Sequence, residues 1–268
     1  MTDRIDFRSM MTLEPHGPDT FVATGPRYPW GGLYGGQIVA QALRAASLTI
    51  DPGYRLHSLH AYFIRQGDAE EPIRLEVDRI RNGRTFLTRR VVARQSIGAI
   101  LNMSTSFALL ETGTEVQTAT IPNVLSPDAL ASDSWGTFID RRFLKADIGP
   151  GRVGAWLRLQ EDLGDDDLLN ACALAYLSDD LPTDAVVACH PDRAPRGSGE
   201  RRFWNASLDH AIWFHHPTRA RQWHLHDFTC RGLVGTHGLS IGSIFDQNGR
   251  CVATVSQEVL IRPRRSSA

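Results

Sequence analysis

Residues 56–68, LHSLHAYFIRQGD, and residues 207–217, SLDHAIWFHHP, are two versions of one pattern set about 150 residues apart. Working outward, His60-Ala61-Tyr62-Phe63 falls on His210-Ala211-Ile212-Trp213, Thr85 on Thr236, and Gly98 on Gly249. Ala108-Leu109-Leu110 falls on Val259-Leu260-Ile261. Few positions are identical. What the copies share is an order: apolar stretch, long strand, glycine turn, long strand, running from His57 to Leu110 and from Ser207 to Ile261.

Each copy is preceded by a helix pattern. Residues 31–48, GGLYGGQIVAQALRAASL, open with glycines and continue with small and apolar side chains around most of a helix's circumference, which predicts a buried helix. After Pro52-Gly53 come apolar runs without helical period: LHSLHAYFI, IRLEVDRI, TFLTRRVVARQ and AILNMSTSFALL. Asn82-Gly83 predicts a type I′ hairpin, and Ser96-Ile97-Gly98 a second turn. The later half repeats the plan. Asp165, Asp166 and Asp167 precede LLNACALAYLSDD as a solvated acidic cap on a second buried helix. The loop HPDRAPRGSGERR follows, then strands around WNASLDHAIWF, WHLHDFTC, THGLSIGSIF and CVATVSQEVLI, with Asn248-Gly249 closing the last hairpin. The expected class is therefore α+β, with two long antiparallel sheets each wrapped around a central helix. The expected boundaries are 1–115, a linker at 116–128, and 129–268.

Size and charge narrow the function. A chain of 268 residues with 42% hydrophobic content can bury a large core or two ordinary ones. Its net charge of -1 gives no global field for nucleic acid or an anionic membrane, so neither is an expected partner. Cys172, Cys189, Cys230 and Cys251 follow no ligand spacing and do not resemble a disulfide scaffold, which suits a reducing, cytoplasmic setting. The charged start, MTDRIDFRSMM, lacks an apolar signal core, and no run reaches the roughly 18 apolar residues of a membrane span.

Three motifs carry chemistry on paper. Gly238-Leu239-Ser240-Ile241-Gly242 matches a nucleophile elbow, but the elbow needs a strand, a sharp turn and a helix, and Ser240 lies in a strand-like run with no histidine after His237. His224 and His226 would share one strand face, yet no third ligand stands at a metal-site spacing, so no metal and no cofactor is expected. Strand alternation places Ser207 and Asp209 on one face, Leu208 and His210 on the other. Gln257 and Glu258 interrupt an apolar strand and either face solvent or meet polar partners in a site. Asp179 ends the second helix, where the helix dipole disfavours a carboxylate unless it is used or solvated.

These segments resemble the TesB-like acyl-CoA thioesterase II family. The likeness is carried by GGLYGGQIVAQALRAA (31–46), LHSLHAYFIRQGD (56–68), RNGRTFLTRRVVARQ (81–95), AYLSDD (175–180), SLDHAIWFHHP (207–217) and TVSQEVLIR (254–262). The resemblance implies a double hotdog that hydrolyses fatty acyl-CoA to free fatty acid and CoA. It also implies a homodimer or higher homo-oligomer. It places the family's catalytic set on Asp179, Ser207 and Gln257, with Asp180 a near competitor for the base. Substrate binding is expected at Gly35, Gly36, Gln37 and Asp209, with backbone N–H groups of Gly35 or Gly36 facing the thioester oxygen. Arg193, Arg196, Arg201 and Arg202 are candidates for the CoA phosphates, or a solvated basic loop. Two other functions stay open: an acyl-CoA-binding module without turnover, and an acyl-thioester hydratase.

Overall fold

The structure, a computed structural model, describes residues 5–136, 138–144, 149–195 and 198–264. Arg196, one of the candidate phosphate ligands, lies outside them. The elements in chain order are α1 (Phe7–Met10), β1 (Glu14–Pro15), β2 (Thr20–Ala23), α2 (Gly35–Ser47), β3 (Tyr54–Phe63), β4 (Ile73–Asn82), β5 (Phe86–Gln95) and β6 (Gly98–Leu109). They continue as β7 (Ile139–Phe143), β8 (Arg152–Leu159), α3 (Asp167–Ser178), α4 (Pro182–Cys189), β9 (Phe203–Ser207), β10 (Asp209–Phe214), β11 (His224–Val234), β12 (His237–Asp246) and β13 (Cys251–Pro263).

Where the sequence leads to two sheets, the backbone forms one continuous antiparallel sheet, ordered β1-β2-β4-β5-β6-β3-β10-β13-β12-β11-β8-β7, with β9 also on β13. The joint is β3 against β10, which the local pattern does not announce. There His60 pairs with Ala211 and Ala61 with His210, so matching positions of the two copies face each other reciprocally. That is the pairing expected of two similar halves about a local two-fold axis.

Helices α2 and α3 pack on each other against the sheet. From Gly36 to Ser47 only Arg44 of α2 escapes burial, as its small and apolar circumference requires. Helix α3 starts at Asp166, whose carboxylate accepts the Leu169 N–H at 2.9 Å, while Asp167 pairs with Arg219. The acidic run is thus a cap. The hairpin at Asn82-Gly83 forms, but not as a two-residue type I′ turn. Asn82 pairs with Leu87, and Gly83 keeps an ordinary φ. Gly83 is needed for close approach: a Cβ there would stand 2.8 Å from the Phe86 carbonyl oxygen. Gly98 and Gly249, at φ +108 and +83, do take the left-handed conformation their hairpins demand.

The segment between the halves has no regular structure from residue 110 to 126, yet it is packed. Ala119, Ile121 and Val124 lie on a second apolar cluster built from Trp156, Trp223, Leu225 and Phe245. Gln117 accepts the Cys251 N–H at 2.7 Å and donates to the Gly249 carbonyl. The chain start also crosses over: Phe7 packs edge-on against Phe138 and Tyr176, and its N–H donates to Glu161.

Candidate active site

Asp179 is the C-cap of α3 and is buried. Its carboxylate lies against the start of α2, which has no side-chain cap of its own, and accepts the Gly36 N–H. The dipole of α3 opposes a charge here, while that of α2 favours it. Burial outweighs the donors and raises the carboxyl to about 7; the hydrogen bonds from Gly36, Gln257 and Ser207 pull the other way. Both glycines are required by contact. A Cβ on Gly35 would come 2.6 Å from Asp179 Oδ2, and one on Gly36 would collide with the Tyr176 carbonyl and the Tyr34 ring.

Asp180, the neighbouring carboxylate, is spoken for. Both its oxygens lie 3.1 Å from Arg141 Nη1, and Trp135 Nε1–H donates to it. The donors on Asp179 are all neutral, so Asp179 combines burial, neutral partners and a carboxyl near neutrality, whereas the partners of Asp180 include the Arg141 guanidinium.

Ser207 and Gln257 meet it. Ser207 Oγ donates to Asp179 Oδ1 at 3.3 Å, and Gln257 Nε2 donates to Ser207 Oγ at 2.7 Å. Gln257 is fully buried, whereas Glu258, one residue on, is partly exposed, so the polar pair in β13 divides between the two faces. His210 completes the cluster: Nδ1 is 2.6 Å from Gln257 Oε1 and Nε2 is 2.9 Å from Ser178 Oγ. Alternation places Ser207 and His210 on opposite faces, and the structure corrects this. Ser207 pairs with Val259 and Ala211 with Ser256, so three residues, Leu208 to His210, oppose two on β13. This bulge re-aims the strand and turns both side chains onto Gln257. No local signal in SLDHAIWF distinguishes it from regular strand.

The other expected site residues sit elsewhere. Gln37 is buried, donates to Gln41 Oε1 at 3.2 Å and packs on Gly25, outside the Asp179 cluster. Asp209 accepts the Glu258 N–H at 2.6 Å and ties β10 to β13. Arg193, Arg201 and Arg202 are exposed, and Arg202 pairs with Glu200. His224 and His226 are buried on one strand face. Among the described residues no three His, Cys, Asp or Glu side chains gather as a metal-holding group. Ser240 lies inside β12, not on an elbow. The flanking glycines serve packing, Gly238 under Val186 of α4 and Gly242 against Phe228.

The chain matches two family models in succession, described as the acyl-CoA thioesterase N-terminal domain over residues 24–108 and the acyl-CoA thioesterase C-terminal domain over 118–261. The chain belongs to the acyl-CoA thioesterase II family. It is 32% identical to acyl-CoA thioesterase 2 of Haemophilus influenzae, over 86% of this chain and 87% of that one. The crystal structure of an acyl-CoA thioesterase II, TesB2, from Mycobacterium marinum superposes with a TM-score of 0.84 at 33% identity, covering 98% of this chain and 99% of the other. A hotdog-fold protein from Alicyclobacillus acidocaldarius superposes at 0.80 with 17% identity, over 97% and 98%, and shows that the fold is of the hotdog type. Among the described residues no helix is long and apolar enough to cross a membrane.

Proposed function

We propose that the chain hydrolyses acyl-CoA thioesters to the free acid and coenzyme A with a water activated at Asp179, Ser207 and Gln257. The observation that carries the reading is a buried carboxyl raised to about 7, held by neutral donors at the start of a helix, on a chain of this family. A base with that value is half ionised near pH 7, which suits it to take a proton and give it back. Asp179 takes the proton of the water as the water oxygen bonds to the thioester carbon. The carbonyl oxygen gains the charge, and the N–H of Gly35 would meet it, since Gly36 already holds the base. The C–S bond then breaks, and the departing sulfur takes the proton from Asp179. Ser207 and Gln257 fix the direction of attack. No covalent intermediate is needed.

The architecture in this reading is a double hotdog, with residues 1–115 and 129–268 as its halves and 116–128 between them. One site is built from both: Gly35 and Gly36 from the first, and Asp179, Ser207 and Gln257 from the second. Arg193, Arg201 and Arg202 would meet the CoA phosphates, and the chain would associate as a homodimer or larger in a cytoplasmic setting. Free-thiol release from a chain-length series of acyl-CoAs tests the reaction. Turnover by wild type and its loss in Asp179→Asn support it. Tight binding without thiol release would favour a binding module, and hydration of crotonyl-CoA a hydratase.

A further inference from the structure

The cluster around Asp179 extends further than the three groups that would face the water. From Ala175 the hydrogen-bonded atoms run through Ser178 Oγ, the His210 ring, the Gln257 amide and Ser207 Oγ to Asp179 Oδ1. A neutral imidazole carries one N–H and one bare nitrogen, a primary amide has one donating and one accepting end, and a hydroxyl has a single proton. Such a chain can therefore be polarised in only two ways.

In the first, Ser178 O–H donates to His210 Nε2, His210 Nδ1–H donates to Gln257 Oε1, the Gln257 amide donates to Ser207, and the Ser207 proton is left for Asp179. In the second, Ser178 donates to the Ala175 carbonyl, His210 Nε2–H donates to Ser178, and the Gln257 amide is turned round. Ser207 then spends its proton on Gln257, and Asp179 loses both the Ser207 and the Gln257 donor. Gln257 stands with Oε1 toward His210 and Nε2 toward Ser207, which is the first arrangement at that end of the chain, while Ser178 Oγ lies 2.9 Å from both the Ala175 carbonyl and His210 Nε2 and has one proton to share between them. Burial pushes His210 down to about 4, so the ring is neutral across the working range and cannot donate from both nitrogens.

We infer that His210 is a positioning residue for hydrolysis, whose ring N–H fixes the orientation of the Gln257 amide and so aims the Ser207 proton at Asp179. The inference rests on the functional reading above. Other groups act on Asp179 too. Tyr34 and the Gly36 N–H face it from the start of α2, and Asp180 adjoins it with its charge met by Arg141 of β7. Tyr34 Oη donates to the Tyr176 carbonyl and Asp180 pairs with Arg141, whereas His210 bonds Gln257 directly, so its effect is separable from theirs.

The test is the pH profile of kcat for acyl-CoA hydrolysis in His210→Leu, His210→Asn, Ser178→Ala and Asp179→Asn, each checked for folding by circular dichroism. In His210→Leu the amide is released, and kcat falls by about 10²-fold, the cost of misaligning a reacting group, with KM little changed. Its acid limb moves to higher pH, because the carboxylate has lost an enforced donor. His210→Asn puts an amide N–H near the place of Nδ1 and recovers most of that rate. Ser178→Ala shifts the limb the same way with a loss of about tenfold, the worth of one hydrogen bond. If Asp179→Asn is inactive while folded His210→Leu keeps the wild-type rate and limb, the inference is overturned and the functional reading stands. It is equally overturned if His210→Asn is no better than His210→Leu. Should His210→Leu not fold, an unmoved limb in Ser178→Ala decides against it. If Asp179→Asn hydrolyses as fast as wild type, the functional reading itself fails.

Discussion

Just past the end of α2 lies a buried cation, Arg89, whereas the end of α3 carries a buried carboxylate, Asp179. Arg89, almost wholly buried, donates from Nε to Thr49 Oγ1 at 2.8 Å and from Nη2 to the Thr49 carbonyl at 3.1 Å, and its Nη1 reaches the carbonyls of Arg81 and Thr88. Thr49 itself bonds back to Ala46 in the last turn of the helix. A cation is what the helix dipole favours there. At the offset that sets Thr85 on Thr236 and Gly98 on Gly249, Arg89 falls on Ser240. Ser240 is the cross-strand neighbour of Gln257, and its buried Oγ has no partner.

The remaining members of the set differ in the same sense. His57 and Ser106, which occupy the repeat positions of Ser207 and Gln257, bond to each other at 2.8 Å. Asp166 closes the start of α3 where α2 offers bare glycines. A cavity of about 470 Å³ lies at that far end, between Leu56, His57, Asp167 and Phe214. One copy has its helix end satisfied by ordinary structural chemistry. The other holds an arrangement that costs stability, the one proposed above to activate water.

The sharpest way to break this contrast is Asp179→Asn. Hydrolysis should fall by about 10²–10⁴-fold, the range for a positioned acid–base group, while the fold is retained or made more stable. The sign follows from linkage. Because the folded carboxyl is raised from 3.8 to about 7, its contribution favours folding fully below 3.8 and is lost as pH rises through about 7. Urea unfolding of wild type against Asp179→Asn should diverge over that window, in favour of the variant at the alkaline end. Arg89→Met tests the other helix end. It strands the Thr49, Arg81 and Thr88 carbonyls and should cost about 3 kcal/mol by chemical denaturation, with turnover per folded molecule kept. The smallest effect is expected at Ser240→Ala. Removing a buried hydroxyl without a partner should leave stability within about 1 kcal/mol of wild type or raise it; a larger loss would show that Ser240 has a structural partner after all.

Much of this was legible because it is local. The glycine-opened helix, the strand runs and the hairpins at Gly98 and Gly249 follow from period and turn chemistry, and α3 ends at Asp179 as the apolar pattern requires. What escaped is set by contacts distant in sequence. The β3–β10 joint, the bulge at Leu208 and the packing of residues 119–124 leave no periodic mark. Helix α4, PTDAVVAC, is too short for one. The Asp179, Ser207 and Gln257 set was reached through resemblance. Burial and hydrogen bonding then separate Asp179 from Asp180 and bring in His210, which strand alternation had turned away.

The most direct measurement is kcat/KM for thiol release from an acyl-CoA across pH 5 to 9, with Asp179→Asn alongside, the range being set about a base of roughly pKa 7. Wild type should rise with unit slope, bend near the value of about 7 expected for Asp179, and then level, while the variant stays low and lacks that limb. A wild-type profile without a limb in this range, or a variant that follows the wild-type curve, would contradict Asp179 as the base.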